Sequence, residues 1–169
     1  AGLLHYLPFM VDAEEQKSDK TFSDRQHFVS IGNFHHAPNL DAVKYLKSDI
    51  WPLIRKQMPN AELHVYGAYP TQQVLEMNDP SSGFIVKGRA EDAFEVIGNA
   101  RVLLAPLRFG AGLKGKLLNA MQCGTPNVTS SIGAEAMHGQ LPWNGFIADD
   151  AVEYAEKAVQ LYQDEKLWT

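Results

Sequence analysis

The chain contains one cysteine, Cys123, so no disulfide can close within it. Cys123 stands in an apolar helical stretch with no His or Cys at ligand spacing, and reads as a buried structural thiol. No apolar run approaches the ~18–20 residues of a membrane span. The opening "AGLLHYLPFM" has no basic n-region and no cleavage signal, so it does not read as a signal peptide. The net charge is −5 with no block of basic residues, which argues against nucleic-acid binding.

Familiar catalytic patterns are also missing. The turn "GNFHHAPN" is not G-x-G-x-x-G, so the dinucleotide fingerprint is absent. "GAGLKGKL" echoes a Walker loop, but Leu117 occupies the position of the required hydroxyl. There is no G-x-S-x-G elbow, no H-E-x-x-H and no Cys–His signature. His35 and His36 are adjacent, yet no third ligand follows at a useful spacing, so no metal site is expected and the pair suits loop packing or ligand contact. Nothing nominates a general base, and the catalytic residues stay unknown.

What is present is regular. Apolar residues make up 45% of 169, enough for one core in one domain. Residues 11–26 are polar and unordered in pattern; with the segment before them they read as a linker, and the domain is expected over 27–169. Short apolar runs at "HFVSIG", "AELHVYG", "GFIVKG", "RVLLAP", "TPNVTS" and "GFIAD" read as strands covered on both faces. Helical spacing separates them: Leu40, Val43, Leu46, Ile50, Leu53 and Ile54 share a face over 39–58, with a kink expected at Pro52. Further helices are expected near 71–77, over 90–100 and over 150–168. This alternation predicts an α/β fold, a Rossmann-like doubly wound and mostly parallel sheet of about six strands. Such sheets bind ligands at the carboxyl ends of the strands, near the switch in strand order.

One strand-end turn stands out. "RFGAGLKGKLLNAMQCGTP" holds Gly110, Gly112 and Gly115 with Lys114 and Lys116 among them. Glycines let backbone N–H groups approach an anion, and a helix starting near 112–116 would aim its positive end there. A phosphate site is the sharper reading, and a flexible turn with solvated lysines the plainer one. Arg89, after strand and glycine in "VKGRAED", either points into the same cleft or pairs with Glu91 or Asp92.

These segments, in this order, resemble the C-terminal half of retaining glycosyltransferases of the GT-B fold in the large group-one family. The resemblance runs from about His27 to Trp168 and is most specific over "GAGLKGKLLNAMQCGTP". It implies a domain that binds a nucleotide-sugar donor, a UDP- or GDP-sugar, for hexosyl transfer to a saccharide or other acceptor. Gly32, Asn33 and Phe34 would approach the diphosphate and sugar, as would Gly110, Ala111, Gly112, Leu113, Lys114 and Lys116. Gly88 and Arg89 would lie near the nucleobase and Asn119 near the ribose. Many family members carry two glutamates where this chain has Ala111 and Asn119. No cofactor or metal is expected. The expected partner is an N-terminal acceptor domain, which this chain lacks, so a fragment inactive alone is expected. The expected location is cytoplasmic, at the inner membrane surface in the longer protein. A nucleotide-sugar epimerase of the same fold and a non-catalytic interaction module stay open as alternatives.

Overall fold

The computed structural model describes residues 18–138 and 141–168. The interdomain reading of residues 1–17 lies outside the described residues. Six strands form one sheet: β1 (Gln26–Asn33), β2 (Leu63–Ala68), β3 (Phe84–Gly88), β4 (Ala100–Ala105), β5 (Asn127–Thr129) and β6 (Gly145–Ile147). Their order is β3-β2-β1-β4-β5-β6 and every pairing is parallel. The expected doubly wound sheet is therefore present. The strand order turns back between β1 and β4, which places the switch point there.

Alternation along the strands divides two cores. Phe28, Val102 and Leu104 face one side with Leu46, Ile50, Trp51 and Tyr154. Val29, Leu103 and Ala105 face the other with Ile97, Leu117, Ala120 and Cys123. Side chains two apart share a face, so a run apolar at every position must be covered on both sides.

The helices depart from expectation in instructive ways. The expected helix over 39–58 is three pieces: α1 (Ala37–Tyr45), a π-helical turn (Leu46–Ile50) and α2 (Trp51–Gln57). Pro52 has no N–H and would crowd the carbonyl four residues back. The chain widens just before it, and Trp51 N–H donates to Leu46 O, five residues back. Next come α3 (Gln72–Glu76) and α4 (Ala93–Asn99), then α5 (Gly115–Gln122) and α6 (Ser131–Ala134). The helix expected over 150–168 breaks at Asp164 into α7 (Ala151–Gln163) and α8 (Glu165–Trp168). Asp164 leaves the helical region and accepts from Lys166 N and Leu167 N, capping the second piece.

Segment 18–26 is tied to the domain rather than lying over it. Gln26 opens β1, and Arg25 is 1% exposed beneath α8. Its Nη2 donates to Cys123 O at 2.8 Å, its Nε to Lys20 O at 3.2 Å, and its Nη1 to Thr125 Oγ1. The Trp168 ring lies 4.9 Å from its guanidinium carbon.

At the carboxyl edge β4 and β5 separate. Leu103 N bonds Pro126 O at 3.0 Å, so the next rung would join Ala105 N to Val128 O. The buried Tyr154 hydroxyl stands between them instead. It accepts from Ala105 N at 2.9 Å and donates to Val128 O. Burial pushes its phenol well above the ordinary value, so it stays a donor. Thr129 Oγ1 then donates to Ala105 O at 2.7 Å and Ser130 Oγ to Leu107 O. β4 stays paired with β5 as far as Ala105, and these hydroxyls then lead it into the loop that precedes α5.

Candidate functional site

A cleft of about 510 Å3 opens at this switch point. The turn after β1 supplies His36, Pro38 and Asn39 to its wall, and the loop after β4 supplies residues from Leu107 to Lys116. Of the residues named from the sequence, Gly110, Ala111, Leu113, Lys114 and Lys116 line it, with Gly115 among them, whereas Gly112, Gly32, Asn33 and Phe34 do not. Gly110 has φ +133 and lies against Pro38, where a side chain would be strained. Gly112 has φ +73 and faces open space.

The first turn of α5 is the wall's positive end. Lys114 is the N-cap, no side chain caps the helix, and its first turn holds no acid. The leading N–H groups are thus left for a ligand or water. Lys114 is 7% exposed, and its Nζ has no hydrogen-bond partner among the described residues. An ammonium so placed has lost water without gaining an acceptor, an arrangement that costs stability unless an anion completes it.

Lys116 follows one position into the helix. Its Nζ donates to Asn39 Oδ1 at 2.5 Å, and burial pulls its pKa down to about 8. Asn39 Nδ2 donates in turn to Asn33 O at 2.8 Å. Asn33 Oδ1 accepts from His35 N at 2.9 Å, and Asn33 O accepts also from His36 N at 3.1 Å. A Cβ at Gly32 would stand 2.7 Å from Asn39 Cγ, so a side chain there would displace the amide. The two walls are further joined by Arg108, whose Nε and Nη2 reach Asp41 at 2.8 and 2.5 Å. That fork holds the Asp41 carboxyl below its usual range.

Other expected residues fall elsewhere. Phe34 is 3% exposed and packs in the core over Gly67, so only its backbone faces outward chemistry. His35 stacks on Tyr69 with ring centres 4.2 Å apart. Gly88, Arg89 and Asn119 do not line the cleft. Arg89 is exposed and forms no ion pair with Glu91 or Asp92 among the described residues, and Asp92 instead caps α4. Cys123 is buried at 2% exposure and unpaired, as its apolar setting required. No group of three His, Cys, Asp or Glu able to hold a metal occurs among the described residues.

Asn39 is the residue that the sequence reading missed. It lies in the first turn of α1, which begins at Ala37, but its side chain does not cap that helix. Its signal was faint: an amide one turn beyond the end of a strand that closes on glycine.

The profile of the family described as "Glycosyl transferases group 1" matches residues 25–164. The chain belongs to that family. Among curated proteins no significant sequence relative matches. Solved structures share the fold of this group 1 domain at low identity. A point mutant of S. aureus TarM, in complex with fondaparinux, alpha-GlcNAc-glycerol and UDP, aligns with TM-score 0.73 and 14% identity, over 94% of this chain and 32% of that one. The pneumococcal O-GlcNAc transferase GtfA, in complex with UDP and GlcNAc, aligns at 0.63 and 20%, over 90% and 32%. WaaG, a glycosyltransferase involved in lipopolysaccharide biosynthesis, aligns at 0.57 and 17%, over 85% and 40%. The chain thus spans about a third of the length of these proteins, and its sheet corresponds to one Rossmann-like half of a GT-B enzyme. No helix among the described residues is long and apolar enough to cross a membrane.

Proposed function

We propose that this domain is the C-terminal, donor-binding half of a retaining glycosyltransferase, and that its cleft holds the diphosphate of a UDP- or GDP-sugar. One observation carries the reading: the Lys114 ammonium is buried in the cleft wall, at an uncapped helix N-terminus, with no acceptor of its own. A diphosphate supplies what is missing there, negative charge and several acceptor oxygens. When the glycosidic bond to the donor breaks, charge grows on the leaving diphosphate. Lys114, Lys116 and the α5 N–H groups are already in place to stabilise it. Two lysines and a helix end then supply the positive charge, with no metal ion required by this scheme.

The glycines keep the floor of the cleft low enough for backbone contact, Gly112 with open space beside it. Ala111 offers only its backbone, and exposed Leu113 an apolar wall for the sugar. Asn119, one turn beyond Gly115, is assigned to the ribose. Gly88 and the unpaired Arg89 are assigned to the base. Gly32 and Asn33 meet the donor from the opposite wall. The acceptor is assigned to a second domain of a longer protein, in keeping with the chain's share of its structural relatives.

Titration calorimetry with UDP, GDP and their sugars tests the proposal. Binding by at least one is expected, together with loss of heat on Lys114→Met in a sample whose circular dichroism is unchanged. A folded wild-type sample that binds none of them ends the donor reading.

A further inference from the structure

We propose that Asn39 is a positioning residue for the anion site, a side-chain bracket that holds the Lys116 ammonium at the cleft wall. The inference rests on the donor reading for its purpose, but its contacts stand by themselves.

The amide's orientation follows from its partners. Asn33 O can only accept, so the group 2.8 Å from it is the Asn39 NH2. Lys116 Nζ can only donate, so the group 2.5 Å from it is the Asn39 oxygen. No other small side chain serves both. Asp would accept from Lys116 but has nothing to donate to Asn33. Leu would do neither. Gln would add a methylene where Asn39 already stands 2.7 Å from the Cβ that Gly32 lacks.

The bracket ties the end of β1, the first turn of α1 and the first turn of α5 into one unit. It also uses only one of the three ammonium protons of Lys116, and with a neutral oxygen. The charge is held in place but not cancelled, and two donors stay available to a ligand. A carboxylate at position 39 would hold the lysine equally well and neutralise it. The chain uses the group that fixes the geometry and leaves the charge for the phosphate.

The charged and titratable groups facing this corner are few. His36 lies on the same turn, Lys114 on the same loop, and Arg108 is already engaged by Asp41 of α1. None is a free carboxylate, so an entering anion meets no competing negative group in the cleft lining. Lys116, titrating near pH 8 when the cleft is empty, gains an opposite charge on binding and takes up a proton.

The test measures UDP affinity against pH from 6 to 10 for the wild type, Asn39→Asp and Asn39→Leu, with uridine and inorganic pyrophosphate as control ligands. Wild-type affinity for UDP and pyrophosphate is expected to fall above about pH 8, while uridine affinity stays flat until its own uracil N–H ionises at more alkaline pH. Asn39→Leu is expected to weaken UDP roughly 10-fold or more at pH 7, the usual worth of a hydrogen bond to a charged group. Asn39→Asp is expected to weaken it as well and to move the limb upward by a full unit or more. Urea midpoints identify any variant that fails to fold. NMR titration of the Lys116 side chain in the ligand-free protein supplies the second readout. There Asn39→Asp must raise the midpoint, whether or not any nucleotide binds. If UDP, GDP and pyrophosphate all fail to bind the wild type, the donor reading falls while the side-chain titration still decides the bracket. An unchanged Lys116 midpoint in Asn39→Asp, or unchanged UDP affinity in both folded variants, overturns the proposal.

Discussion

Two buried cations sit at opposite ends of the sheet and are treated in opposite ways. Arg25, before the amino end of β1, donates to Thr125, to Cys123 O and to Lys20 O, and carries Trp168 on its face. The Lys114 Nζ, beyond the carboxyl end of β4, has no hydrogen-bond partner among the described residues. Exposure does not separate them, since both are below a tenth. Satisfaction does. A buried cation with its donors used is part of the scaffold, whereas one with its donors unused is a site kept for an anion.

The comparison is broken most directly at Arg25. Arg25→Ala should destabilise the domain by about 3 kcal/mol or more, because it empties a buried volume and takes the donor from the Cys123 carbonyl. Urea unfolding measures this, and a loss below about 1 kcal/mol would show that the arginine is not structural. Tyr154→Phe comes next. Its hydroxyl completes a rung between Ala105 and Val128, and removing it leaves both backbone groups buried and unpaired. About 2 kcal/mol should be lost in thermal or urea melts. UDP affinity should fall only modestly, as the loop after β4 loses its anchor.

Lys114→Met should reverse the sign. Removing an unpartnered buried charge should leave stability unchanged or raise it by about 1 kcal/mol, while UDP affinity falls roughly 10–100-fold. The same two experiments, melting and calorimetry, therefore fall together at Tyr154 and move apart at Lys114. A Lys114→Met protein that is clearly less stable than wild type would sink the distinction.

The smallest expected effect concerns a third way of burying cations, which is to discharge them. His27 and His64 stack with ring centres 4.0 Å apart near the amino ends of β1 and β2. Burial, and then each other's charge, lowers His27 to about 4, and burial lowers His64 as well. Below pH 6.5 the unfolded chain takes up protons that the folded one refuses, so stability falls as pH drops from 6.5 toward 4. Chemical unfolding at pH 7.5 and 5 should show this fall. His27→Asn, which tolerates the φ of +51 at that position, should flatten it.

Much of the fold could be read before any coordinates. The run Val102–Pro106 inside "RVLLAP" is apolar at every position, as a short strand buried on both faces requires. The place of the glycine–lysine loop, between β4 and α5, was legible for a similar reason, because apolar runs of different period flank it. A motif position does not say which way a side chain turns, and that of Phe34 turns into the core over Gly67. Asn39 was invisible because its two partners lie six residues before it and 77 residues after it. Propensity at one position carries no trace of either.

The amino-acid order alone determined the alternation of strands and helices, the parallel sheet, and the placing of a cationic turn at a strand end. Those properties depend on periodicity and local chemistry, which act over a few neighbouring residues. Which cation is satisfied, which is left open, and which neutral amide holds Lys116 were decided only when the chain folded. Hydrogen bonds saturate within about 3 Å, and that range is set by the packing of distant segments.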